Sequence, residues 1–257
     1  MQLILILLAT ILLSSFSWQP LQPPSDLPKY DLFVQLDSER RQMTAFQSVS
    51  VVNRWGRPLS QVVLHVPALA LSDVFELRRL TTGNDPTPAD VRRNGEFLVV
   101  NLNGSWGAGE ALTLLLDFTI HFPPLGISDN FAATSLGWAD FVINAGHWHP
   151  LLAPYDAQAG KWRTWTATTI GDPYLAEAAD FAVEIHVPTN VLIAAGGEMS
   201  HKSGVWSFRL RGAREFAFVA GHRWETAETM VDGSLVTSYF LPEHREAGEA
   251  ALRYASE

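Results

Sequence analysis

The 257-residue sequence contains no cysteine. That absence removes disulfides, thiolate zinc sites, a cysteine nucleophile and a lipid-modified N-terminal cysteine together. Basic charge is scarce too: 18 Lys and Arg stand against 27 Asp and Glu, for a net charge of −9. Phosphate-backbone binding requires clustered Lys and Arg, so a nucleic acid is excluded as a partner. No run of like charge is long enough to act as a tail, and no internal repeat is present. Three catalytic signatures are also missing. None of the eight histidines is followed by Glu, so there is no H-E-x-x-H zinc helix. There is no G-x-S-x-G elbow and no glycine loop ahead of a helix that would cradle phosphate.

What is present points to a packed, β-rich chain. Hydrophobic residues make up 47% and charged residues 18%, enough apolar material for a core and the wrong balance for disorder. The length suits one large β domain, or one domain plus a fragment of another. The N-terminus, MQLILILLATILLSSFSW, is apolar from Leu3 to Leu13 and then turns to small residues, with Ser15 and Ser17 placed like a signal-peptidase site. The run is shorter than the roughly 20 residues of a spanning helix, and no basic residue precedes it. A signal peptide over residues 1–17 is the favoured reading, followed by an uncleaved anchor and then a buried helix. Residues 18–29 are Pro-rich and read as a linker. The expected location is extracytoplasmic, secreted or held at a membrane through residues 2–17.

From Tyr30 the dominant period is two. Leu112, Leu114, Leu116, Phe118, Ile120 and Phe122 fall on one strand face, with Leu115 the apolar exception on the other. Phe181, Val183, Ile185 and Val187 repeat the pattern against Glu184 and His186. Further strands are expected at Tyr30–Leu36, Thr44–Val52, Leu59–Val66, Phe97–Leu102, Val205–Leu210, Glu215–Ala220 and Leu235–Leu241, with two-residue turns at Asn94-Gly95 and Asp232-Gly233. The fold class is therefore all-β, with large antiparallel sheets in a saddle- or sandwich-like domain. After Pro242 the composition becomes helical, with Ala247, Ala250, Ala251 and Tyr254 on one face. The helix stops at Glu257 in mid-pattern, as a truncated sequence would.

The segment Ile143–Asp156, INAGHWHPLLAPYD, sets His147 and His149 either side of Trp148, ahead of Pro150, Pro154 and Asp156. A zinc site needs three or four converging ligands; His147 and His149 share a side of an extended chain, and Asp140 or Asp156 would join them. Trp148 and Pro150 argue instead for a packed strand edge or a cleft lining, which is the favoured pair of readings. His121 and His186 lie on polar strand faces and read as solvated. Trp138, Trp148, Trp162 and Trp165 cluster in one quarter of the chain. Exposed tryptophans would stack on sugars or substrate side chains, but filling the space between two sheets is the commoner role. Among Asp129, Asp140, Asp156 and Asp172 a carboxylate pair for acid–base work is conceivable; Asp172, before Pro173, reads as a turn start.

The order of segments is similar to that of the aminopeptidase N family of zinc metallopeptidases. YDLFVQLDSERRQMTAFQSVSVVNRWGRPLSQVVLHV resembles the family's opening strands, and GAGEALTLLLDFTIHFP its Gly-Glu turn and long strand. HWHPLLAPYD, GDPYLAEAADFAVEIHVPTNVLIAAGGE and VWSFRLRGAREFAFVAGHRWE follow in the family's order, so that the likeness runs from about Tyr30 to the end. The resemblance implies an N-terminal β-saddle domain over residues 30–225 and the start of an α/β catalytic domain over 226–257. It implies that zinc and the catalytic residues belong to the part beyond Glu257. This chain would then hold no metal, be inactive alone, and pack against its own catalytic domain over a peptide substrate. Asp140, His147, Trp148, His149 and Asp156 would line the substrate cleft. One departure affects specificity: the family's saddle domain carries a Gln or Glu that holds the substrate's free amine, and neither residue occurs between Glu110 and Gln158. Asp140 or His147 would have to substitute. A reading of another class is a stand-alone extracytoplasmic β-module that binds carbohydrate or protein through exposed tryptophans.

Overall fold

The computed structural model describes residues 26–83, 85–126, 134–164 and 176–257. In chain order the strands are β1 (Lys29–Asp37), β2 (Gln42–Val52), β3 (Leu59–His65), β4 (Phe75–Thr82), β5 (Asp90–Asn94), β6 (Phe97–Trp106) and β7 (Ala111–His121). They continue with β8 (Leu136–Ala139), β9 (Val142–Ala145), β10 (Leu151–Leu152), β11 (Tyr155–Asp156), β12 (Lys161–Trp162) and β13 (Ala179–His186). The last are β14 (Leu192–Ala195), β15 (Glu198–Lys202), β16 (Val205–Ala213), β17 (Phe218–Gly221), β18 (Glu225–Val231) and β19 (Ser234–Phe240), before helix α1 (Arg245–Ala255). The architecture is all-β. No helix among the described residues is long and apolar enough to cross a membrane.

A seven-stranded sheet, in the order β15-β16-β13-β1-β2-β7-β4, is the largest element. The other sheets among the described residues are two of four strands, β10-β3-β6-β5 and β14-β17-β9-β8, and two hairpins, β11-β12 and β18-β19. Alternation explains why the large sheet forms. Its strands turn Tyr30, Leu32 and Val34, then Leu114, Leu116 and Phe118, then Phe181, Val183 and Ile185 to one face, where all are buried in a core shared with both smaller sheets. Each such side chain contributes roughly 1.5–3 kcal/mol relative to exposure. Within the expected antiparallel sheets one pairing is parallel: β1 and β13 run the same way, from Lys29 opposite Asp180 to Gln35 opposite His186. A parallel neighbour requires a long crossover, and the whole run from β2 to β12 supplies it.

Several boundaries differ from expectation. The strand expected at Glu215–Ala220 begins only at Phe218, because Glu215 and Phe216 serve the site described below. In the β5–β6 hairpin the pairing of Asn94 with Phe97 leaves Gly95 and Glu96 as the loop, so glycine takes the first loop position with φ 59°. Asp232 and Gly233 both have positive φ, as a two-residue turn between right-twisted strands demands.

The helix presents a different face from the expected one. Ala247, Ala251 and Tyr254 are exposed, and Gly248 is its buried residue. A Cβ on Gly248 would lie 2.1 Å from Phe240 Cδ1, so the missing side chain is what lets α1 seat against β19. The Ser238 hydroxyl fixes that contact by donating to the Gly248 carbonyl at 2.9 Å.

Candidate functional site

The segment from His147 to Asp156 joins all three larger sheets. It leaves β9, turns at His147 (φ 52°), crosses under the seven-stranded sheet and enters β10, where Leu151 and Leu152 pair with His65 and Leu64. A left-handed backbone costs a non-glycine residue of order 1 kcal/mol, and here an ion pair secures it: His147 Nδ1 lies 2.7 Å from Glu215 Oε2. Burial pulls the Glu215 carboxyl up, but the neighbouring His147 outweighs it and holds the group below the usual carboxylate range. Glu215 was not among the expected site residues. It lies 68 positions along the chain, and no local periodicity signals such a contact.

Trp148 is fully enclosed. Its indole N–H donates to the Phe216 carbonyl at 3.0 Å, and its ring meets Phe118 and Phe218 at centroid distances of 6.1 and 5.9 Å. His149 is equally buried, edge-on to Tyr30 and Phe181 at 6.0 and 5.7 Å. Neither of its ring nitrogens has a hydrogen-bond partner among the described residues. Burial therefore pulls the imidazole down to about 4, keeping the ring neutral. The next carbonyl, that of Pro150, accepts from Gln47 Nε2 at 2.7 Å, and the Leu152 amide donates to Tyr30 Oη at 2.8 Å. These two bonds anchor the crossing to β2 and β1. His65 is a second buried histidine, 3.2 Å from Glu96 through Nε2 and stacked on Phe97 at 4.6 Å. Burial lowers its pKa against the opposing pull of Glu96.

The aspartates fall elsewhere. Asp140 sits in the two-residue turn between β8 and β9 with φ 44°, exposed, on the rim of a cavity of about 50 Å³ that also touches Arg41, Trp138 and His222. Asp156 ends β11, where its carboxylate accepts from the Ala159 amide at 2.9 Å and meets Arg163 at 3.2 Å. The Ala159 amide is the larger reason its pKa is lowered. Neither aspartate completes a set with the histidines, and among the described residues no three His, Asp or Glu groups converge as a metal ion requires. Asp129, Trp165 and Asp172 lie outside the described residues, as do the N-terminal apolar run and most of the linker. The described tryptophans are buried or half-buried: Trp106, Trp148 and Trp206 are core, and Trp55 nests among Trp106, Tyr155 and Trp162 at 5.3–5.6 Å. Among the described residues the exposed phenylalanine and tyrosine side chains are Phe33, Phe46, Phe141 and Tyr254.

No protein-family model matches this chain, and no curated protein does. Solved structures do match. An M1 zinc metallopeptidase from Deinococcus radiodurans superposes with a TM-score of 0.51 at 15% identity, covering 83% of this chain and 46% of that one. A variant from the same organism, bound to a Tyr-Ser-Ala substrate, gives 0.52 at 16%, covering 86% and 51%. A two-domain M1 zinc metallopeptidase bound to L-arginine gives 0.52 at 15%, again covering 86% and 51%. The chain therefore has the fold of a part of the M1 zinc metallopeptidases and spans about half the length of the structures it matches.

Proposed function

We propose that this chain is the N-terminal β domain of an exported zinc metallopeptidase of the aminopeptidase N type, walling the substrate cleft without supplying catalytic groups. The observation that carries the reading is the coverage: the shared fold takes in 83% or more of this chain but only about half of each metallopeptidase. Residues 30–225 form the β domain in this reading, and 226–257, with the β18–β19 hairpin and α1, begin the catalytic one. The described residues do not fit a zinc ion, so zinc and the hydrolytic groups are assigned to that following domain. Peptide is the proposed substrate, in keeping with the Tyr-Ser-Ala complex of one neighbour. The segment 1–17 exports or anchors the product.

Within the proposed cleft wall the five candidate residues divide by role. Asp140, His147 and Asp156 offer polar surface toward substrate. Trp148 and His149 form the packed floor that holds His147 in place. Amine recognition falls to Asp140 or His147, since the stretch between Glu110 and Gln158 has neither Gln nor Glu.

The test compares this chain with any longer product that its gene encodes, on alanyl and leucyl amide substrates. The isolated chain should be inert. The longer product should hydrolyse them, lose activity to a chelator and recover it with zinc. Hydrolysis by the isolated chain, or a longer product inert with and without zinc, would overturn the proposal.

A further inference from the structure

The two faces of the seven-stranded sheet are built from the same strands, yet among the described residues only one is covered. On the open face, register places six side chains in a line across the strands. Ser207 stands opposite Glu184, Glu184 opposite Phe33, Phe33 opposite Phe46, Phe46 opposite Asp117, and Asp117 opposite Arg79. Strands are spaced at about 4.8 Å, so the line is about 24 Å long. Phe33 and Phe46, at its centre, are each 41% exposed. A hollow of about 380 Å³ opens on one side of Phe46, bounded by Phe33, Asp31, Glu184, Ser207 and Arg209. Another of about 300 Å³ opens on its other side, bounded by Arg79 and Asp117.

We propose that this line is a binding platform for a neutral oligosaccharide, with Phe33 and Phe46 as its stacking surfaces. Two neighbouring phenylalanines have no polar atom of their own, and a ligand lying across them takes their exposed ring surface out of water. Each hollow is lined by both acceptors and a donor group: Asp31 and Glu184 with Arg209 in one, Asp117 with Arg79 in the other. Sugar hydroxyls both donate and accept, and pyranose C–H faces lie flat on aromatic rings, so one ligand class satisfies both parts of the line. The mixed charge does not suit a polyanion or a polycation. The position does not suit a peptide added as a strand, because β13, β1, β2 and β7 are paired on both sides and offer no edge. The side chains are also held ready: the His186 ring packs on Phe33 at 4.7 Å and its Nε2 meets Glu184 at 2.5 Å, while Arg79 donates to the Pro86 carbonyl at 2.7 Å. This platform is independent of the peptidase reading, since every residue in it lies within the described chain.

Affinity electrophoresis of the 257-residue chain in gels containing hydroxyethyl cellulose, xylan or galactomannan tests the proposal, with titration calorimetry on cellohexaose or xylohexaose to follow. Retardation in at least one gel is expected, insensitive to added salt. Phe33→Ala and Phe46→Ala should each weaken binding about fivefold, from the loss of one stacked ring, and the double variant should abolish it. Glu184→Gln should weaken binding at unchanged shape. Circular dichroism and melting curves establish that the variants are folded. The proposal is overturned by the absence of retardation in all three gels, by binding that survives in the folded double variant, or by retention of heparin or unfolded casein in place of the neutral glycans.

Discussion

The covered and open faces of the seven-stranded sheet are a controlled comparison, because every strand contributes alternate residues to both. On the covered face Val34, Leu116 and Ile185 have no exposure at all and Phe118 has 1%, whereas Phe33 and Phe46 on the open face keep 41%. The same residue type, phenylalanine, holds the fold together on one face and is left available on the other. What separates them is the His147–Leu152 crossing, which brings Trp148, His149 and the smaller sheets under one face only. The stability of the sheet and the proposed glycan platform thus fall on opposite faces of the same strands.

Substitutions on the covered face should therefore be the costliest. Trp148→Ala removes a fully enclosed indole and its bond to Phe216, and should cost about 3–5 kcal/mol in urea unfolding. Acid should act on the same region. The ordinary histidine value is 6.5 and burial holds His149 near 4, so the unfolded chain binds the proton first. The stability carried by the neutral ring is complete above 6.5 and is lost as the pH falls toward 4, a loss on the order of 3 kcal/mol. The Glu215 carboxyl, held below its ordinary value, adds a loss of the same sign at lower pH. His149→Leu should flatten the dependence of the urea midpoint on pH between 6.5 and 4, leaving the contribution of His65, which has the same sign; an unchanged slope would refute the assignment.

Gly248→Ala should come next. The new methyl meets the Phe240 ring at 2.1 Å, and such overpacking costs about 1–3 kcal/mol; a lowered melting temperature would register it. Phe33→Ala or Phe46→Ala should cost the least, under about 1 kcal/mol each. A loss as large as that of Trp148→Ala would mean that the open face is structural and erase the distinction between faces.

The division between faces was partly legible in the sequence. The alternation in β7 and β13 identified Leu114, Leu116, Phe118, Phe181, Val183 and Ile185 as core residues, because a period of two follows from strand geometry alone. Leu115, the apolar exception in β7, is half-buried opposite Thr81 and Ser48 on the open face. Strands of two to four residues, such as β8 to β12, are too short for periodicity to register. The ion pair of His147 with Glu215 and the anchoring of Pro150 by Gln47, 103 positions away, arise from tertiary packing. The helix face was misread for a related reason: alanine at spacings of three and four looks like a contact stripe, but the approach to Phe240 is so close that only Gly248 fits. The open aromatic line was hidden because its members are adjacent across strands and far apart along the chain.

The claim on which the functional account turns is that the His147 crossing shapes a substrate cleft and takes no part in the chemistry. Steady-state kinetics of His147→Gln in the full-length gene product tests it most directly. The account predicts a raised KM for peptide substrates with kcat held within about twofold, the signature of lost binding common to ground and transition states. A collapse of kcat at unchanged KM, or kinetics identical to the parent enzyme, would contradict it.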